Sequence, residues 1–252
     1  MGFVKSIVIT VLICVTAVIV VIMASQALIG FKRFSAGGIT VTGSASQNFA
    51  SDLIVWRGSF SRTGQSLSDT YGKLKADADA VSSYLQGESV SAGEIVFSSV
   101  NIQNNYRDEV TTDAQGNQTR TTVQDGYTLS QTVTIQSAQV DKIEAVSRDV
   151  TKLIDTGIVF LSSPPEYYYT KLDELKINMI ADATKNARTR VEQIAQNSDS
   201  RIGQLLDSSL GVFQITAQNS SGDDYSAGGA FDTASKLKTA QVTVKLHYAV
   251  AN

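Results

Sequence analysis

Between Ile7 and Ile29 the chain carries no charged side chain, and Val, Ile, Leu, Ala and Met dominate. At about 1.5 Å per residue, a helix over this run of 23 residues would be about 35 Å long, enough to cross a hydrocarbon core of about 30 Å. The run is apolar on every side, which argues against a buried core helix. Everything after Phe31 reads as water-soluble. The organisation expected is a tail at 1–6, a transmembrane anchor at 7–29, a linker at 30–38 and one domain at 39–252. A cleaved signal peptide is the competing reading, with Lys5 as its basic start and Ser25-Gln26-Ala27 as a small-x-small end. The run exceeds the apolar core of about 7–15 residues usual in such peptides, which favours a retained anchor.

Flanking charge does not orient the anchor. The α-amine and Lys5 lie on one side, Lys32 and Arg33 on the other. The short tail favours a translocated, extracytoplasmic domain. Phe31, Lys32, Arg33 and Phe34 are residue types that settle at a membrane interface. The run contains no GxxxG, the pattern that lets membrane helices pack closely.

The single cysteine, Cys14, falls inside the apolar run, so the soluble part has no disulfide, thiol nucleophile or cysteine metal site. Lys5 is the only charge before Lys32, which leaves 20 basic and 24 acidic side chains after the run. A slightly acidic, evenly mixed surface offers no footprint for nucleic acid.

Ile39–Thr42 alternates as a strand that stops at Gly43, and Asp52–Arg62 as a second strand with Ile54, Trp56 and Phe60 on one face. Leu67, Tyr71, Leu74, Ala78, Val81 and Leu85 recur at helical spacing. Ile95–Gln103 reads as a third strand. A polar stretch at 104–122 follows, turning at Asp113–Asn117, and Tyr127–Ile135 alternates as the return strand of a long hairpin. Val140, Ile143, Val146, Val150 and Leu153 mark a second helix, closed by Gly157, and Ile158–Leu161 a short strand. A third helix spans about 171–196, with Leu172, Leu175, Met179, Ala183, Ala187, Val191 and Ile194 on one side. Residues 204–216 read as a strand, 218–235 as a Gly/Ser/Asp loop, and Val242–Val250 as the last strand. This order predicts an α+β fold, with antiparallel-rich sheets and long hairpins packed on three helices.

The order and several local strings resemble the SIMPL domain family, the domain of unknown function 541 group. The strings are Ile39-Thr-Val-Thr-Gly43, Gly126-Tyr127, Asp155-Thr156-Gly157-Ile158, Ala181-Asp-Ala183 with Ala187, and Val242–Val250. The resemblance covers about residues 37–250. Two positions depart from it: Ser44 stands where an acidic residue is usual, and Asn197-Ser198-Asp199 replaces the glycine that ends the third helix. The resemblance implies a bacterial extracytoplasmic protein, secreted or membrane-anchored, with links to envelope integrity and stress. Some members assemble into ring or cage-like homo-oligomers, and no accepted catalytic residues carry over.

The residues themselves supply little chemistry. His247 is the only histidine and alternates with the apolar face of the last strand, so an outward position is expected. A zinc site lacks His and Cys ligands. Asp113–Asn117 faintly echoes a calcium loop but reads as a hairpin turn, and Asp223-Asp224 as part of a mobile surface loop. No Walker A, GxGxxG or GxSxG string occurs. The candidate interface residues are the aromatic run Tyr167, Tyr168 and Tyr169, with Tyr225 and Phe231 of the Gly-rich loop. A Pro-led strand edge packed on its own domain is the other reading of the tyrosines. The expectation is a non-catalytic, single-pass envelope protein without cofactor or metal that assembles with itself. A monomeric or dimeric ligand-binding module is the alternative, with the ligand unknown, and a carboxylate hydrolase is a minor one.

Overall fold

The computed structural model describes residues 15–26, 37–220 and 226–251. Helix α1 covers 15–26. It is part of the apolar run, whose remainder lies outside the described residues, as do the 1–6 tail and most of the linker. No helix among the described residues is long and apolar enough to cross a membrane. The fold is mixed, with four helices and antiparallel-rich sheets among the described residues. It divides into two compact units, one of 1–44, 182–211 and 243–252, the other of 45–181 and 212–242.

The larger unit is built on a six-stranded antiparallel sheet. Its strands are β2 (Leu53–Gly64), β3 (Ile95–Phe97), β4 (Asn101–Thr112), β5 (Gln118–Ser137), β6 (Phe160–Ser162) and β7 (Glu166–Tyr168). The spatial order is β3-β5-β2-β6, with β4 also on β5 and β7 also on β2. One face carries Ile54, Trp56, Phe60, Leu129, Val133 and Ile135, all at most 2% exposed. Helix α2 (Leu67–Gly87) packs there through Leu74, Val81 and Leu85, and α3 (Val140–Asp149) through Ile143 and Val146. Ser66 caps α2 by accepting from the Asp69 N–H. A 3-10 turn follows α3 and ends at Gly157, whose φ of 82° is the left-handed conformation expected there. Phe160 joins Trp56 and Phe60, with ring centroids 6.0 and 6.2 Å away. Trp56 Nε1 donates to Ser162 Oγ (3.0 Å), which donates to the Ser147 carbonyl (2.7 Å), so the buried indole N–H is satisfied. Asp77, buried on α2, accepts two bonds from Arg62 at 2.5 and 2.7 Å.

Also in this unit, β9 (Gln214–Ala217) pairs antiparallel with Lys238–Gln241 of β11 (Leu237–Ala251) and parallel with β10 (Ala230–Phe231). In the smaller unit Val244–Ala251 of β11 pairs antiparallel with β8 (Arg201–Leu210). The core of that unit comprises Val41 of β1 (Gly38–Ala50), Ala183, Ala187, Val191 and Ala195 of α4 (Leu172–Asn197), and Val244 and Leu246. Strands β1 and β11 and helix α4 each contribute residues to both units.

Several sequence expectations shift. The first strand does not stop at Gly43 but runs on to Ala50. A Cβ on Gly43 would lie 2.2 Å from the Ala183 carbonyl oxygen, so the glycine permits a close helix crossing rather than a turn. The third strand divides at Ser98–Val100, where Ser98 N–H still bonds to the Thr132 carbonyl at 2.8 Å. The 204–216 strand divides after Leu210, where its partner along β11 changes. The first turn of α2 is exposed at Leu67 and Tyr71. Near the end of α4 the apolar stripe drifts, and Ala195 rather than Ile194 is buried. Asp199 adopts φ of 52° after α4, taking the left-handed role of the missing glycine.

Candidate functional site

Strands β4 and β5 continue past the rest of their sheet as a two-stranded arm. β2 and β3 pair only with residues 127–137 of β5, so from Gln118 to Gly126 β5 has β4 alone as neighbour among the described strands. Nearly every residue of β4 is exposed. The tip is tied by Asp113, whose Oδ1 accepts from Gln115 N–H (3.0 Å) and Asn117 N–H (2.8 Å), with Gly116 at φ of 85°. These bonds, that from the Asn117 side chain first, hold the Asp113 carboxyl below its usual range. The carboxylate is therefore engaged in the turn, as the hairpin reading expects.

Two residues of β5, Asp125 and Gly126, face one of β4, Asn105, forming a bulge on β5. Gly126 has φ of 85°, and a Cβ there would meet the Gly64 carbonyl oxygen at 2.5 Å. β4 keeps its alternation through the bulge. Ile102, Tyr106 and Val110 therefore share one face, the face on which Leu129, opposite Ile102, is buried. They are 52%, 62% and 47% exposed. Arg107, Asp108, Glu109, Arg120 and Asp125 form loose ion pairs at 3.8 to 3.9 Å along the arm. The long polar segments 104–122 and 218–235 are legible in the sequence as available for subunit contacts, but the polar character of 104–122 hides which of its residues share this face. The signal that finds it is apolar recurrence at every fourth residue, which a strand places on one side.

The aromatic candidates separate. Tyr167 is a core residue, 7% exposed, and belongs to the main cluster of its unit. Its ring is covered by its own chain, as the packed-strand reading expects, and burial raises its hydroxyl pKa. Tyr168 points the other way and donates to Glu166 at 2.9 Å, and Glu166 pairs with Arg57 at 3.0 Å. Arg57 first, then Tyr168, hold the Glu166 carboxyl below its usual range. Tyr169 is half-buried, its ring 4.9 Å from that of Phe49. Phe231 is 53% exposed beside a hollow of about 290 Å³ lined by Ile215, Thr216, Ala230 and Asp232. Tyr225, Asp223, Asp224, Phe31, Lys32, Arg33 and Phe34 lie outside the described residues. His247 is half-buried, opposite Asp207 of β8.

Two lysines in the larger unit were not anticipated. Lys238 is 1% exposed, on the same face of β11 as Ala240 and Val242. Its Nζ donates to the Asp232 carbonyl and lies 3.7 Å from Asp232 Oδ2, an oxygen with no hydrogen-bond partner among the described residues. Burial pushes the Lys238 amine below its usual value, against the opposing pull of Asp232. Extending the period-2 pattern of Val242 and Val244 backwards would have placed this lysine inside. Lys236 donates to Asp141 (2.7 Å) and Glu144 (2.9 Å) of α3, clamping the segment after Phe231. The Lys236 bond, ahead of Arg148, depresses the Glu144 carboxyl. Among the described residues no group of three His, Cys, Asp or Glu side chains is placed to hold a metal ion.

Helices on one face of an antiparallel sheet, an Ala-lined helix crossing a glycine of the first strand, and a projecting hairpin define an α+β domain of the kind the opening resemblance implied. The chain belongs to the SIMPL family, described as a protein of unknown function (DUF541), which it matches over residues 39–248. No curated protein matches it.

Proposed function

We propose that this is a non-catalytic, single-pass envelope protein whose SIMPL domain assembles with itself into a ring or cage-like homo-oligomer at the membrane surface. The observation that carries the assembly reading is the arm, which holds Ile102, Tyr106 and Val110 in solvent on one side of a strand that has β5 as its only strand neighbour among the described residues. Exposed apolar residues gathered on one element mark interaction surfaces, and a long free strand edge is a template for another chain. Tyr168, Tyr169 and Phe231 offer further contacts for closing a ring.

The anchor is supported by α1. Val15 and every residue from Val18 to Met23 are at least 50% exposed, on all sides of the helix. Apolar area left in water forgoes about 25 cal/mol per Å², and lipid is the environment that removes this cost. Mass photometry of the full chain, extracted in mild detergent, tests the assembly. Particles of many copies are expected, and a strictly monomeric particle at micromolar concentration overturns it.

A further inference from the structure

We infer that the arm joins two copies of this chain edge to edge, β4 against β4 in antiparallel register about a two-fold axis through Tyr106. The inference deepens the assembly reading and rests on it. Its basis is the symmetry of the strand itself. Ile102 and Val110 stand four residues before and four after Tyr106, all on one face, and the bulge beside them falls on β5, so β4 alternates without interruption.

An antiparallel pair related by a two-fold axis places residues equidistant from the centre opposite one another, on the same face. Centred on Tyr106, the register sets Ile102 against the partner's Val110, Tyr106 against the partner's Tyr106, and Val110 against the partner's Ile102. Asp108 then faces the partner's Asn104. On the other face Arg107 meets the partner's Asn105, and Glu109 the partner's Gln103. Each apolar residue finds an apolar partner, and no like charges meet. Centring on Arg107, Asp108 or Glu109 instead opposes that charge with its own copy, which cross-strand pairing penalises. A second copy is thus the occupant that both the apolar pattern and the charges fit. The edge is available, since β4 has β5 as its only strand neighbour among the described residues. A two-fold contact closes on itself, so it makes dimers, and a larger assembly uses it together with a second surface.

Cysteine cross-linking of the full chain in detergent tests the register. With Cys14→Ser as background, copper phenanthroline is the oxidant that takes two electrons from each thiol pair. Directly opposed residues of antiparallel strands lie about 4.5–5.5 Å apart at Cα, within disulfide range. Tyr106→Cys is expected to give a covalent dimer. Ile102→Cys and Val110→Cys are expected to cross-link when two preparations are mixed and exchanged, and neither alone. Thr111→Cys, about 30 Å from its twin in this register, is expected to stay monomeric on denaturing gels. Tyr106→Lys is expected to reduce the assembled species at least tenfold with an unchanged circular dichroism spectrum. No Tyr106→Cys dimer, or equal cross-linking of Thr111→Cys, overturns the inference. If large particles persist in Tyr106→Lys, assembly stands and this contact falls. If the unmodified chain is monomeric, both fall.

Discussion

The same substitution, glycine to alanine, should move stability in opposite directions at two positions. At Gly43 an added Cβ would lie 2.2 Å from the Ala183 carbonyl oxygen, 2.4 Å from the Ala187 nitrogen and 2.7 Å from the Ala187 Cβ. Two of these are backbone atoms of α4, which cannot rotate aside as a side-chain end would. Overpacking costs about 1–3 kcal/mol, and a clash with helix backbone on this scale belongs at the upper end, about 3 kcal/mol. At Gly72, inside α2, nothing lies within 4 Å of the added carbon. There alanine restricts the unfolded chain and favours helix by about 0.5–1 kcal/mol. For a chain of this length each kcal/mol moves the midpoint by about 2–4 °C. Gly43→Ala is therefore expected to melt about 6–12 °C lower, and Gly72→Ala about 1–4 °C higher. Thermal unfolding of the full chain in detergent, followed by far-UV circular dichroism, measures both. A Gly43→Ala midpoint at or above the parent's would refute the close-crossing account, because a glycine that merely ended a strand would tolerate a methyl group.

Lys238→Met should destabilise by about 3 kcal/mol in urea titrations, since it leaves the Asp232 carboxylate near the core without its cation. Adding Asp232→Asn should recover most of that loss, and a double variant as weak as the single one would show the pair to be irrelevant. The Lys236 clamp predicts a pH dependence. The folded Glu144 carboxyl is depressed below its usual value of 4.5, so the stability it adds is present above that pH and is lost as pH falls through the lower, folded value. Lys236 is raised, so its contribution is complete below its usual value of 10.5 and is lost only as pH rises through a still higher one. Lys236→Met should therefore cost about 1 kcal/mol at pH 7 and flatten the acid limb of the stability curve. An acid limb unchanged in that variant would place the dependence elsewhere.

Legibility in the sequence followed periodicity. The stripes of α2, α3 and α4 and the alternation of β2, β5 and β11 are local patterns, and each produced an element near its expected place. Gly157 was readable because a helix end needs a left-handed residue within a few positions of known spacing. Gly43 was misread because its neighbours, Ala183 and Ala187, lie some 140 residues away, so nothing nearby distinguishes a close crossing from a stop. Tyr167, Tyr168 and Tyr169 are one string in sequence. The strand alternation turns the first into the core and the second toward Glu166 and Arg57. The arm is legible as a polar hairpin with its turn at Asp113–Asn117, but only pairing with β5 shows which of its residues share a side.

By itself, then, the sequence determined what depends on neighbours along the chain: an apolar run at the start, the helices and most strands, the turn at Asp113, and membership in the α+β class. Tertiary structure decided what depends on partners far along the chain. It placed Lys238 inside, let β1 pass straight through Gly43, separated the three tyrosines, and left β4 projecting with one edge unpaired among the described residues. Pattern is a property of a segment, whereas burial and the freedom of an edge belong to whatever the rest of the chain brings alongside it.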